Sequence, residues 1–193
     1  MPALTPDILL RGYAEGIFPM ANDEGIVEWF EANPRAILDV EAFRIPHEVR
    51  RAIRQQTFEI RFDTAFERVI RACAGRQDTW ISQEIIAAYT QLHEAGHAHS
   101  VEAWHRDRLV GGLYGANLGA AFFGESMFYH TPGASKVALA HLCRHLRAQR
   151  FLLHDIQQLT PTLELFGAHL IPKSEYLTRL RGAILEFRSF MPR

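Results

Sequence analysis

A chain of 193 residues, 48% hydrophobic and 22% charged, has the size and composition of one globular domain with room for a small extra lobe. The formal net charge of −1 excludes an overall basic nucleic-acid binder but leaves open a local basic patch. Two cysteines, Cys73 and Cys143, form neither a C-x-x-C pair nor a disulfide framework, so a reducing compartment, the cytoplasm, is expected.

The opening MPALTPDILL has no basic segment leading into a long apolar core, so no signal peptide is expected there. Thr5-Pro6 reads as an N-cap with proline at the first helical position, and Gly16 ends the helix. GIFPMANDEG is turn-rich, and WFEANPRAILDV carries β-type residues on both sides of Asn33-Pro34. Pro46 opens a second helix, FEIRF is a strand, and Asp63 is expected to cap a helix carrying Phe66, Val69 and Ile70. Ser82 caps another, stopped at Gly96. HSVEAW, RLVGGLYG and AAFFGESMF read as three successive strands, followed by the helix ASKVALAHLCRHLRAQR. FLLHDI is a short strand, Thr160-Pro161 opens a short helix, AHLIP is a last strand and SEYLTRLRGAI a last helix. The order implies an α+β protein with a mixed sheet covered by helices. Apolar runs broken by Gly, His or Arg exclude a membrane-spanning helix.

Three patterns imitate catalytic motifs. His93-Glu94-Ala95-Gly96-His97 fits H-E-x-x-H, but Gly96 falls where the helix ends, so His97 is expected to leave the face of His93. His141 and His145 lie one turn apart while Cys143 points elsewhere, and no metal site is expected. Gly111-Gly112 lacks the Lys-Ser/Thr of a phosphate loop.

Three groups are candidates for chemistry. Eight arginines (44, 50, 51, 54, 61, 68, 71 and 76) share residues 44–76 with four acids, Glu48, Glu59, Asp63 and Glu67. Arg50, Arg51 and Arg54 fall on one helix, either as a phosphate-binding patch or as an ordinary solvated face. In FFGESMF a carboxylate interrupts an apolar strand, and strict alternation places Phe123, Glu125 and Met127 on one face and Phe122, Gly124, Ser126 and Phe128 on the other. Glu125 then either borders a pocket or faces solvent on an edge strand. Asp155 and Gln157, at the end of an apolar strand, are placed either to orient and deprotonate an amine or to close an Asx-type turn.

Taken together, RGYAEGIFPM, PRAIL, TWI, AYTQLHEAGHAHSVEAW, LVGGLYG, FFGESMF, ASKVAL, LLHDIQ and IPKSEYL, in this order, resemble the leucyl/phenylalanyl-tRNA–protein transferase family. That resemblance implies a small N-terminal lobe, about residues 1–35, and an N-acetyltransferase-like (GNAT) domain over 36–193. It implies an aminoacyl-tRNA donor carrying Leu or Phe, possible use of Met, a protein acceptor with N-terminal Arg or Lys, no cofactor, no membrane and a monomer. It makes Asp155 and Gln157 the catalytic pair and Leu113, Phe122, Glu125, Ser126 and Met127 the donor pocket. Trp80 falls at the tRNA 3′ end, Met20 among the substrate-binding residues, and Arg50, Arg51 and Arg54 at the acceptor stem. The sequence departs from the family pattern at WFEANPR, at Met20 where many members carry Trp, at His47 where Arg is usual, and at Thr162 and Leu165-Phe166. Two other readings use the same residues: a tRNA-binding module without turnover, and an acetyl-CoA-dependent N-acetyltransferase, whose phosphate-binding loop is not evident before ASKVAL.

Overall fold

The computed structural model describes residues 4–76 and 79–191; residues 1–3 and 192–193, at the ends of the two expected domains, and residues 77–78 lie outside the described residues. Helix α1 (Pro6–Glu15) begins as its sequence requires, with Thr5 accepting from the Ile8 amide and Gly16 at the C-cap. A two-stranded ribbon follows, β1 (Phe18–Ala21) against β2 (Val27–Phe30). Trp29 of this ribbon lies so close over Gly12 that a Cβ there would stand 2.1 Å from its ring, so α1 and the ribbon pack only because residue 12 has no side chain. Strand β1 was not legible in the turn-rich GIFPMANDEG; it is held by its partner strand and by the Ala21 amide donating to Trp80 O at 2.9 Å.

The remaining elements are β3 (Arg35–Ile37), α2 (His47–Arg54), β4 (Glu59–Phe62), α3 (Phe66–Ala74), α4 (Gln83–Glu94), β5 (Ala98–His105), β6 (Arg108–Leu118), β7 (Ala121–Tyr129), α5 (Ala134–Ala148), β8 (Leu153–Gln157), α6 (Pro161–Leu165), β9 (His169–Ile171) and α7 (Lys173–Ile184). The seven-stranded sheet has the order β4-β5-β6-β7-β8-β3-β9. All neighbours are antiparallel except β7 and β8, which run parallel across the α5 crossover. This is a mixed α+β sandwich. One face of the sheet packs α1, α3, α4 and α7 through Tyr13, Phe66, Tyr89, Tyr114, Phe123 and Tyr176. The other packs α2, α5 and α6 through Val49, Leu113, Phe122, Leu139, Ile156 and Leu163. The N-terminal segment shares the first core, since Leu9, Tyr13 and Phe18 are buried in it.

Asp63 does not cap α3. Its backbone is left-handed (φ 56°), and its carboxylate accepts from the Ser100 amide at 2.8 Å and meets His99 Nδ1 at 2.7 Å. The buried Glu102 of β5 instead fixes the chain entering α3, accepting from the Thr64 and Ala65 amides, both at 3.0 Å, and no side chain among the described residues caps the helix.

After α7 the chain returns to the α5 face and inserts Phe190, 1% exposed, against His99, Phe122 and His145. His145 Nε2 also donates to Phe190 O, at 2.6 Å. Phe190→Ala should therefore lower the unfolding free energy by about 3–5 kcal/mol in a urea titration. A loss below about 1 kcal/mol would mean that the tail only lies against the surface.

Candidate active site

The parallel strands β7 and β8 pair only from Ala121–Leu153 to Phe123–Asp155. Beyond that point β7 runs on to Tyr129 and β8 ends at Gln157, so the sheet opens between them. A cavity of about 980 Å³ occupies the opening and reaches both layers of helices. Met20 and Trp80 line it on the α1/α3 side, and Leu113, Met127, Leu139, Leu142, Ile156 and Leu163 on the α5 side.

A β-bulge sets which side chains reach this space. Tyr114 pairs with Ser126 and Gly115 with Gly124, so Glu125 is the extra residue. The expected strict alternation over residues 122–128 therefore fails. Phe123 and Glu125 do share the α1 face, but Met127 turns to the α5 face with Phe122, and Phe128 packs with Phe123. Ser126 also leaves the face of Phe122 for the α3 side, where its hydroxyl accepts from Arg76 Nη2 at 3.0 Å.

Glu125 sits at the cavity wall, half-buried. Its Oε1 accepts from Tyr13 Oη at 2.6 Å and from Gln157 Nε2 at 3.1 Å, and Tyr13 in turn shares a hydrogen bond with Tyr89. Removal from water pushes its pKa up to about 7, against the Tyr13 hydrogen bond, which favours the anion, and with the nearby Asp155 charge adding to the rise.

Gln157 also lines the cavity, in a left-handed conformation (φ 55°) that non-glycine residues rarely adopt. Two contacts hold it there: its amide donates to Asp155 Oδ1 at 3.0 Å, and the Gln158 amide donates to Ile156 O at 2.6 Å. Asp155 thus closes an Asx-type turn and presents Gln157 at the same time. It is itself fully buried and does not line the cavity. Its Oδ1 also accepts from Arg35 Nε at 2.9 Å, and its Oδ2 from Arg35 Nη2 at 2.7 Å and Tyr176 Oη at 2.7 Å. Four donors on two oxygens leave no open site for a substrate proton, so the geometry gives Asp155 an orienting role.

Arg35, 1% exposed, completes this pair. Its Nη1 donates to Gly16 O at 3.1 Å, and its guanidinium lies over the rings of Phe18 and Tyr176. Burial opposes its charge, and Asp155 more than offsets that, so its pKa is raised. Tyr13, Arg35, Tyr89 and Tyr176 all lie within the motifs RGYAEGIFPM, PRAIL, AYTQL and IPKSEYL, but no spacing links residues so far apart in the chain.

Phe122 departs from the pocket expectation. It is fully buried, stacks on Phe190 at 5.4 Å and lies behind His154, which itself faces the cavity. Arg50, Arg51 and Arg54 are exposed on α2, which packs on α5, and Glu48 of α2 pairs at 2.8 Å with Lys136 on the cavity wall. As expected, α4 ends before Gly96 (φ 79°), and His97 turns to Asn117 O while His93 meets Ala98 O. His93 instead joins Asp63 and His99 in a cluster away from the cavity lining, with His99 bonded to both Asp63 and Asn117.

An apolar wall thus faces a carboxyl–amide pair across the opened sheet, with room for a side chain on one side and hydrogen-bonding groups on the other. A family model described as leucyl/phenylalanyl-tRNA protein transferase matches residues 37–181, and one for its N-terminal domain matches residues 3–33. Relatives named leucyl/phenylalanyl-tRNA–protein transferase are 53% identical in Salinibacter ruber (94% of this chain, 80% of that one), 52% in Herpetosiphon aurantiacus (94% and 95%) and 50% in Gloeobacter violaceus (94% and 94%). The chain belongs to the leucyl/phenylalanyl-tRNA–protein transferase family and is an aminoacyltransferase. Among solved structures, L-PGS from Bacillus licheniformis aligns at 13% identity and a TM-score of 0.46, over 78% of this chain and 55% of that chain's length.

Two outcomes follow. Asp155→Asn leaves Arg35 buried without its counter-charge and should lower the unfolding free energy by about 3–5 kcal/mol, while the pair Arg35→Met with Asp155→Leu should recover much of it; denaturant titration of the three variants checks this. For Glu125, the folded pKa of about 7 lies above the ordinary carboxyl value of 4.5. Between those values the folded state holds a proton that the unfolded state has lost, so this group's contribution to stability is full below pH 4.5 and is lost as pH rises to about 7. The stability of Glu125→Gln relative to the parent should therefore rise across that window; a pH-independent difference would place the Glu125 pKa near its ordinary value.

Proposed function

We infer that this chain moves leucine or phenylalanine from an aminoacyl-tRNA to the N-terminal amino group of a protein beginning with Arg or Lys, marking that protein for degradation. Methionine is a further donor of the right shape. What carries the reading is the cavity itself, in a chain about 50% identical to transferases of that name: an apolar wall and a Glu125–Gln157 pair meet where β7 and β8 separate.

The donor is an ester and the product an amide, so the step runs downhill and the site has to position two reactants and move a proton. The acceptor nitrogen attacks the ester carbonyl, the new C–N bond forms, and the C–O bond to the tRNA ribose breaks. The amine's proton leaves with the departing ribose oxygen. Gln157 Nε2 is committed to Glu125, so its amide oxygen is the end that accepts from the attacking amine. Asp155 acts through Gln157 by holding its backbone in the left-handed turn. Glu125, poised near pH 7, sits where it meets a charged amino group of donor or acceptor. Leu113 and Met127 line the space for the donor side chain, and Trp80 and Met20 pack at the terminal adenosine. Arg50, Arg51 and Arg54 take the acceptor-stem phosphates, beside the wall that Lys136 and Glu48 tie together.

The GNAT-like assignment rests on the same feature: a parallel pair that opens next to the crossover helix, in a sheet otherwise antiparallel. The cytoplasmic location rests on two free, buried cysteines, and no helix among the described residues is long and apolar enough to cross a membrane. We take the working unit to be a monomer.

The assay is transfer of labelled leucine or phenylalanine from charged tRNA to a peptide with N-terminal Arg. Arg51→Ala with Arg54→Ala should weaken charged-tRNA binding and flatten its log–log salt dependence by up to about two units. The rate with an aminoacyl-adenosine donor, which lacks those phosphates, should change far less. Equal loss with both donors would make the helix structural; no transfer by the parent would refute the function.

A further inference from the structure

The α5 side of the cavity is apolar at Leu113, Met127, Leu139, Leu142, Ile156 and Leu163, with the imidazole of His154 set among them. His154 lies on β8, 2% exposed, its ring edge-on to Phe122 at 5.7 Å. Its Nε2 has no hydrogen-bond partner among the described residues. That atom hangs over Gly124, 3.3 Å from where a Cβ would stand, and both residues line the cavity. Burial drives the imidazole's pKa down to about 4, with the Asp155 charge opposing this only in part, so the ring is neutral at physiological pH.

A buried ring nitrogen without a partner is costly, and an apolar side chain of similar volume would avoid that cost. Asp155, Arg35 and Tyr13 nearby are all bonded, and the other orphan on the cavity lining among the described residues, Tyr114 Oη, belongs to the opposite face of the sheet. The orphan at His154 therefore marks a bond made by something that enters the cavity. Its surroundings say what part of that molecule arrives, because the side chains beside it on this wall, Leu113, Met127, Ile156 and Leu163, are apolar and suit a donor side chain.

We propose that His154 is a specificity residue for the donor, and that its Nε2 meets the phenol hydroxyl of tyrosine, making tyrosyl-tRNA a donor for this enzyme beside the leucyl and phenylalanyl forms. The proposal rests on the aminoacyl-transfer reading of the cavity. Leucine and phenylalanine end in carbon and leave Nε2 bare. A methionine sulfur is a weak acceptor and satisfies only one tautomer of the ring. A phenol hydroxyl both donates and accepts, so it completes either tautomer. His154 does not touch the reacting atoms, so it acts on the choice of donor rather than on the chemistry.

The test is single-turnover transfer to a peptide with N-terminal Arg from tRNA charged with tyrosine, phenylalanine or leucine. The parent should transfer tyrosine, and His154→Leu should lower the tyrosine-to-phenylalanine rate ratio by about 10-fold or more. His154→Gln, which keeps a hydrogen-bonding group in the same wall, should retain more of that ratio than His154→Leu. A thermal melt separates loss of fold from loss of selectivity, and His154→Leu should melt no lower than the parent because it removes an unpaired polar group. Leucine and phenylalanine transfer with no tyrosine transfer, or a ratio unchanged in His154→Leu, overturns this proposal alone. No transfer of any donor by the folded parent overturns the functional reading and this proposal with it.

Discussion

The buried ion pair of Arg35 and Asp155 is the contact on which the rest of the site depends. Neither residue is solvated, so the desolvation of both charges has to be offset inside the protein. It is offset by completeness: Asp155 accepts four hydrogen bonds, and Arg35 donates to Asp155 and to Gly16 O between the rings of Phe18 and Tyr176. The pair therefore joins β3, β8, the end of α1, the ribbon and α7 at one point. Strand β3 has only three residues and a register shift against β8, so backbone pairing alone defines its position weakly. The bidentate contact supplies that register, and with it the position of the Gln157 turn.

From this anchor a continuous line of hydrogen bonds reaches the cavity, through Gln157 to Glu125, Tyr13 and Tyr89. One end is ionic and rigid, and the other is a carboxyl whose pKa is near 7. The bulge at Glu125 makes the connection possible. Without an extra residue in β7, Met127 would follow Glu125 onto the α1 face and the apolar α5 wall would lose a side chain. The apolar lining and the Glu125 carboxyl thus lie on the two faces of one sheet, and the cavity between β7 and β8 joins them.

What was legible in the sequence was local. Thr5-Pro6 and Gly16 bound α1 to the residue, because a cap depends on neighbours three or four positions away. The strands of the meander and the end of α4 at Gly96 follow from the same kind of signal. Errors arose where a distant partner decides. Asp63 has the right chemistry for a cap, but His99 and the Ser100 amide take its carboxylate. The phase of FFGESMF follows from the register of β6, which no pattern within β7 records. Phe122 carries the family motif, yet its ring is claimed by Phe190 from the far end of the chain. Asp155 was readable as a site residue, but its orienting role depends on Arg35, 120 positions away.

That separation bears on how the protein is made. Strand β3 is synthesised early, yet its neighbours in the sheet are β8 and β9, from the last quarter of the chain. Until they emerge, Arg35 has no counter-ion and β3 has no strand to pair with. Loop closure over such a length is slow compared with local helix formation, so this edge of the sheet joins late. A chain that stops short of β8 therefore lacks both the counter-ion of Arg35 and the turn that presents Gln157.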